Sequence, residues 1–120
     1  MDKVQALHDF WSGFGLPAYD ESDVPDDANM PYITYNVSVD ELNRPVALSG
    51  SLWYYSTSWA KITQMAALIE TTITRGGVVI AYDHGAFWLK KGSPWAIRVA
   101  DPSDAMIRHI SLNIEVEFLD

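Results

Sequence analysis

One stretch of this chain, residues 109–118, restricts the possible folds more than any other. Ile110, Leu112, Ile114, Val116 and Phe118 alternate without a break with His109, Ser111, Asn113, Glu115 and Glu117. Period two puts the first set on one face of a β-strand and the second on the other. Five large apolar side chains on one face need strands beside them and a second layer over them.

Two amphipathic stretches can supply that layer. Over residues 2–14, Val4, Leu7, Trp11 and Phe14 recur at 3-4-3 spacing, which predicts a helix with one apolar stripe. Asp2 and Gln5 match a capping box, and Gly15-Leu16-Pro17 provides the stop. A second helix is predicted from the candidate N-caps Ser56, Thr57 and Ser58 to about Thr74. Its stripe is Ile62, Met65, Ala66, Ile69 and Ile73, with Arg75 and Gly76-Gly77 at its end.

Further strands surround these helices. Residues 32–39 alternate, with Ile33, Tyr35, Val37 and Val39 opposite Tyr32, Thr34, Asn36 and Ser38. Residues 46–55 place Val46, Leu48, Leu52 and Tyr54 on one face, with Gly50 at a candidate bulge. The polar connection 40–45 makes these two strands a hairpin. Strands at 78–82 and 86–90 flank the turn Asp83-His84-Gly85. A loop follows at 91–95, then a short strand through Ala96–Val99, and 101–104 (DPSD) breaks it. The expected fold is α+β: a mostly antiparallel sheet with two helices on one face, in the order α-β-β-α-β-β-β, the short 96–99 stretch being extra. The expected core joins Val4, Leu7, Trp11, Phe14, Ile62, Met65 and Ile69 to Ile33, Val37, Ile110, Leu112, Ile114 and Val116.

At 120 residues, 48% apolar and 20% charged, residues 1–120 form one globular domain. No cysteine is present, which rules out disulfides, thiolate metal sites and a cysteine nucleophile, and fits a reducing cytoplasm. Charges and aromatics interrupt the N-terminal stretch MDKVQALHDFWSGFG, so it lacks a signal-peptide core. No apolar run approaches the roughly 18 residues of a membrane span. The formal net charge is −8, with only eight Lys and Arg spread along the chain. That argues against sequence-specific DNA binding.

The polar motifs carry no recognisable catalytic, cofactor or metal chemistry. Residues 18–31 form an acidic loop in which Asp20, Glu21, Asp23, Asp26 and Asp27 cluster. A calcium loop would need alternating ligands and a glycine at the turn; this cluster has Pro25 instead. His8, His84 and His109 lack the i+2 to i+4 partners of a local zinc site. Ser51 sits in a strand, not in a nucleophile elbow, and Gly76-Gly77 follows a helix rather than opening one. The tryptophans are more informative. Trp53 and Trp88 fall opposite the aliphatic faces of their strands, which implies either cross-strand packing or a buried partner surface. The stretch 90–109 sets Trp95 among mixed charges. Arg98 and Arg108 are placed to pair with Asp101 and Asp104, in a stable surface loop or in a subunit contact.

Three segments carry a wider resemblance: FWSGFGLPAYDESDVPDDANMPYITY at 10–35, SLWYYSTSWAKI at 51–62, and KKGSPWAIRVADPSDAMIRHISLNIEVEF at 90–118. Together they resemble the tail terminator (tail-completion, tail-to-head joining) proteins of long-tailed phages that infect Gram-positive bacteria. That family has no catalytic signature. The resemblance implies an α+β protein of the virion tail or neck, assembled in the host cytoplasm. It implies a homohexameric ring that caps the head-proximal end of the tail tube, ends tube polymerisation and joins tail to head. The implied partners are the major tail tube protein and the head connector or closure protein, with DNA passing through the channel without specific binding. Six copies of a −8 chain gather about −48 in one ring, and an acidic lumen would repel DNA phosphates. Candidate lumen carboxylates are the 20–27 cluster, Asp40 and Glu41, or Glu115 and Glu117. The same charge makes copies repel, so assembly is expected to improve with salt. Competing readings are a head-closure or tube protein on a similar fold, a small binding module, and, last, an enzyme.

Overall fold

A computed structural model describes residues 2–38 and 45–119. Val39, Asp40 and Glu41 lie outside the described residues. The described residues form helix α1 (Lys3–Ser12), strands β1 (Ala18–Asp20), β2 (Tyr32–Tyr35) and β3 (Pro45–Tyr55), helix α2 (Ala60–Ile73), and strands β4 (Val78–Tyr82), β5 (Gly85–Ala100) and β6 (Ile107–Phe118). The strands make one sheet in the order β1-β2-β3-β6-β5-β4. Every neighbouring pair is antiparallel except β1 with β2. The fold is therefore α+β with a mostly antiparallel sheet. It has one strand more than expected before α2, because Ala18–Asp20 lies within the stretch assigned to a loop. Three residues are too few to show a period, and a parallel partner leaves no hairpin signal.

The alternating stretch is the middle of the sheet. β6 pairs with β3 on one side and β5 on the other, setting Ile110 opposite Leu52 and Ile114 opposite Leu48. Ile110, Leu112, Ile114, Val116 and Phe118 are all buried. α2 packs over β3, β5 and β6, while α1 reaches β1 and β2 at one side and β4 and β5 at the other. The sheet therefore curls around α1, and the core fills its concave side. Trp11 is fully buried there. Gly50 marks this contact rather than a bulge: a Cβ at position 50 would sit 2.5 Å from the Trp11 ring, and the β3–β6 register runs through it unbroken.

Several expected details shift. α1 ends at Ser12 and buries Ala6, Leu7 and Trp11, whereas Val4 is 44% exposed. The curled sheet meets the helix face one residue round from the Val4 stripe. Phe14, past the helix end, packs edge-on to Phe10. Asp2 accepts from the Gln5 backbone N–H at 2.8 Å, but the Gln5 amide turns to Asp9 instead of back to the cap. α2 starts later than expected, with Trp59 at its N-cap and no side-chain cap bond. Ser58 accepts instead from the Ala60 N–H. Ile62, Ala66, Ile69 and Ile73 are buried, and Met65 and Val37 are half-buried against the core.

The largest change is in β5. The expected 86–90 strand, the 91–95 loop and the 96–99 strand are one strand of 16 residues. The Gly-Ser-Pro stretch becomes a bulge between Lys91 and Ala96 while β6 runs on beside it. Asn113 holds this bulge by donating from Nδ2 to the Pro94 carbonyl at 2.8 Å.

Candidate functional site

Both helices lie on the concave face, so the convex face of the sheet has no second layer among the described residues. Strand alternation decides what that face presents. Tyr32, Trp53, His109 and Val99 are successive cross-strand partners from β2 to β5. Tyr19 of β1 extends the row by packing edge-on to Tyr32 at 5.8 Å. An aromatic and apolar row thus crosses the sheet from β1 to β5. The next rows hold small polar side chains, Ser51 beside Ser111 and Ser49 beside Asn113, and beyond them stand Glu115 and Glu117.

Within the row the contacts are tight. The Trp53 and His109 rings stack 3.8 Å apart at 13°, and Trp53 Nε1 donates to Thr34 Oγ1 at 2.9 Å. This covers Thr34, the polar residue in the buried set. His109, on the outward face of β6, is half-buried, and its Nε2 has no hydrogen-bond partner among the described residues. Burial holds its pKa below the ordinary value, partly offset by the Asp101 carboxylate. Of the two expectations for Trp53, cross-strand packing is observed. Trp88 packs differently, against the α2–β4 loop and its own strand: its indole N–H donates to the Gly76 carbonyl and its ring lies under Lys90 Nζ at 4.2 Å. Trp95 is half-buried against the core at the bulge.

Arg98, Asp101, Asp104 and Arg108 do come together, at the end of the sheet where β5 turns into β6, but not as two ion pairs. Both guanidinium groups stack on Trp59, Arg98 at 4.7 Å and Arg108 at 5.1 Å from the ring centre. Arg108 also donates to the carbonyls of Ala105 and Thr57. Asp101 instead accepts from Ser103, through both its backbone N–H and its hydroxyl, and these bonds lower its pKa. Asp104 accepts from the Met106 N–H, and its charge raises the pKa of Tyr55. A hollow of about 260 Å³ lies here, lined by Trp59, Asp101, Asp104 and Arg108 among others. The sequence signal for Trp59 was weak: it reads as part of a cap region, and its partners are 39 and 49 positions away.

The candidate lumen carboxylates fall in two separate places. Asp20 folds onto Ser22, whose backbone N–H and hydroxyl hold its pKa down. Glu21, Asp23, Asp26 and Asp27 are exposed on the loop beside β1. Glu115 and Glu117 are half-buried on the convex face, opposite Lys90 and Trp88. Among the described residues no three His, Asp or Glu side chains converge as a metal site would require. His8 bonds to the Tyr35 hydroxyl at 2.8 Å, and His84 occupies the exposed β4–β5 turn at φ 67°. The site is therefore a surface rather than a pocket: one bare sheet face with two open edges. No family model matches this sequence, and comparisons with curated proteins and with solved structures find no match.

Proposed function

We propose that this chain is a ring-forming structural protein of a phage tail, one that caps the head-proximal end of the tail tube, ends tube polymerisation and joins tail to head. The observation that carries the proposal is the uncovered convex face, with its aromatic row running between two open sheet edges. A sheet of this kind is a surface for other chains. The segment resemblance gives that surface a specific use. In this reading the function rests on contacts between chains.

The net charge of −8 fits a passage for DNA. Lys or Arg along a channel would hold DNA through counterion release, whereas carboxylates leave it free to slide.

The test is to add purified protein to tail tubes growing from their tube protein. Capping at one end, with arrested growth and a six-fold ring by native mass spectrometry, is the expected result. Growth of tubes from this chain alone would instead identify a tube protein. A monomer without effect on tubes would identify a binding module. Steeply salt-dependent DNA binding by the purified protein would remove the acidic-channel part of the proposal.

A further inference from the structure

The two lateral edges of the sheet are unlike each other and complementary. On one side β4 covers β5 only from Gly85 to Leu89. Beyond Leu89, β5 keeps β6 on one flank, and no described strand pairs with the other flank. This bare edge ends in five consecutive exposed residues, Ala96–Ala100, with Ile97 45% and Val99 37% exposed. Between Lys90 and Ala100 stand three cations, Lys90, Lys91 and Arg98; Lys90 lies opposite Glu115 on β6, and Asp101 and Asp104 follow the strand. Lys91 is engaged by Glu70 at 2.9 Å, whereas Arg98 is exposed and rests on the face of Trp59.

The opposite edge is β1, which among the described strands pairs with β2 alone. It leads into the loop with five carboxylates between 20 and 27 and no cation. The aromatic row of the convex face begins here at Tyr19 and ends at Val99 on the other edge. Joining the two edges would continue the row from one chain to the next.

We propose that the bare edge of β5, at Ala96–Ala100, receives the β1 edge and acidic loop of a second copy of this chain, head to tail. An unpaired strand edge offers backbone donors and acceptors to an added strand. Arg98 against the acidic loop favours this pairing over two β1 edges, whose carboxylates would repel each other. A contact between two different surfaces repeats until it closes into a ring or extends as a filament. The inference rests on the ring reading above and deepens it by naming the contact.

The experiment uses the full chain and native mass spectrometry over a concentration series at one fixed salt. Arg98→Glu is compared with Asp23→Lys/Asp26→Lys and with the variant carrying all three changes. Each charge reversal is expected to raise the half-assembly concentration about tenfold, roughly the worth of one favourable charge contact. The combined variant is expected to return to within about threefold of the parent chain. Val99→Asp, at an exposed position away from the Trp59 stack, should weaken assembly like Arg98→Glu, and thermal melts of all variants check that the fold persists. Because the chain lacks cysteine, Asp23→Cys with Arg98→Cys should also give disulfide-linked copies on oxidation, since three strands separate the two edges within one chain. Rings that form equally well in every variant, without cross-linking, would overturn this contact and leave the ring reading standing. A parent chain that stays monomeric at all concentrations would overturn both.

Discussion

The two ends of β5 are both largely apolar and have opposite surroundings. From Gly85 to Leu89 the strand has β4 on one flank, β6 on the other from Phe87 onward and helices above, and Phe87 and Leu89 are completely buried. From Ala96 to Ala100 the same strand has, among the described strands, β6 on one flank and none on the other, and all five residues are exposed. Apolar side chains occur in both halves. In the first they hold the chain together. In the second they add little to it, so Ile97 and Val99 are the ones to examine for a role between chains.

The comparison breaks most visibly in the first half. Phe87→Ala removes a ring packed edge-on to Phe118 and should cost about 3–5 kcal/mol. Chemical denaturation would measure it, and a loss below about 1 kcal/mol would mean that this half is not part of the core. The junction should be next. A Cβ on Gly92 would approach the Asn113 backbone at 3.0 Å, a neighbour fixed within the central strand. Gly92→Ala should therefore cost about 1–3 kcal/mol by overpacking. An unchanged melting temperature would show that the bulge relaxes freely.

What the sequence made legible divides along the same line. β6, the α2 stripe and the inward residues of β3 were readable because each repeats a period against a continuous partner. β1 was not, being three residues long and paired in parallel. β5 was read as two strands because Gly92-Ser93-Pro94 carries local turn chemistry. Tertiary pairing overrides it, since β6 is long enough to pair on both sides of the bulge. Val4 was assigned to the core by spacing alone, which finds a stripe but not the curvature of the sheet it meets. At the site, alternation placed Trp53 and Trp88 correctly on the outward face. It gave no sign that Trp53 would stack on His109, 56 residues away, or that Trp59 would draw Arg98 and Arg108 from their carboxylates.

A smaller effect sharpens the comparison through pH. His109 is the cross-strand partner of Val99, behind the exposed half of β5, and burial lowers its pKa from the ordinary 6.5. The unfolded chain then binds more protons than the folded one at pH values just below 6.5. Stability from this group is full above that range and falls as pH drops through 6.5 toward the lowered value. His109→Phe retains a ring on Trp53 and should flatten this part of the stability profile. Asp20 and Asp101, held low by serine hydrogen bonds, act in a separate window, losing their share as pH falls below the ordinary 3.8. A His109→Phe profile identical to the parent between pH 5 and 7 would place the proton elsewhere.

The smallest expected effect on the isolated chain is the most informative about the second half of β5. Ile97→Ser and Val99→Ser each remove an apolar side chain that is 45% and 37% exposed, respectively. Surface changes of this kind usually alter folding stability by no more than about 0.5 kcal/mol. If the exposed half serves only the chain itself, such changes should be nearly silent in every assay. If it receives a second copy, the remaining exposed part of the two side chains becomes buried in the contact, worth less than half of the roughly 1.5–3 kcal/mol of burying a fully exposed aliphatic side chain. The double variant should then melt close to the parent temperature at low protein concentration and assemble poorly at high concentration. This separation of folding from assembly is the expected outcome, read by thermal melts and by sedimentation of the same samples. A large loss of melting temperature in dilute protein would show instead that the exposed half supports its own fold, and the contrast between the two halves of β5 would disappear.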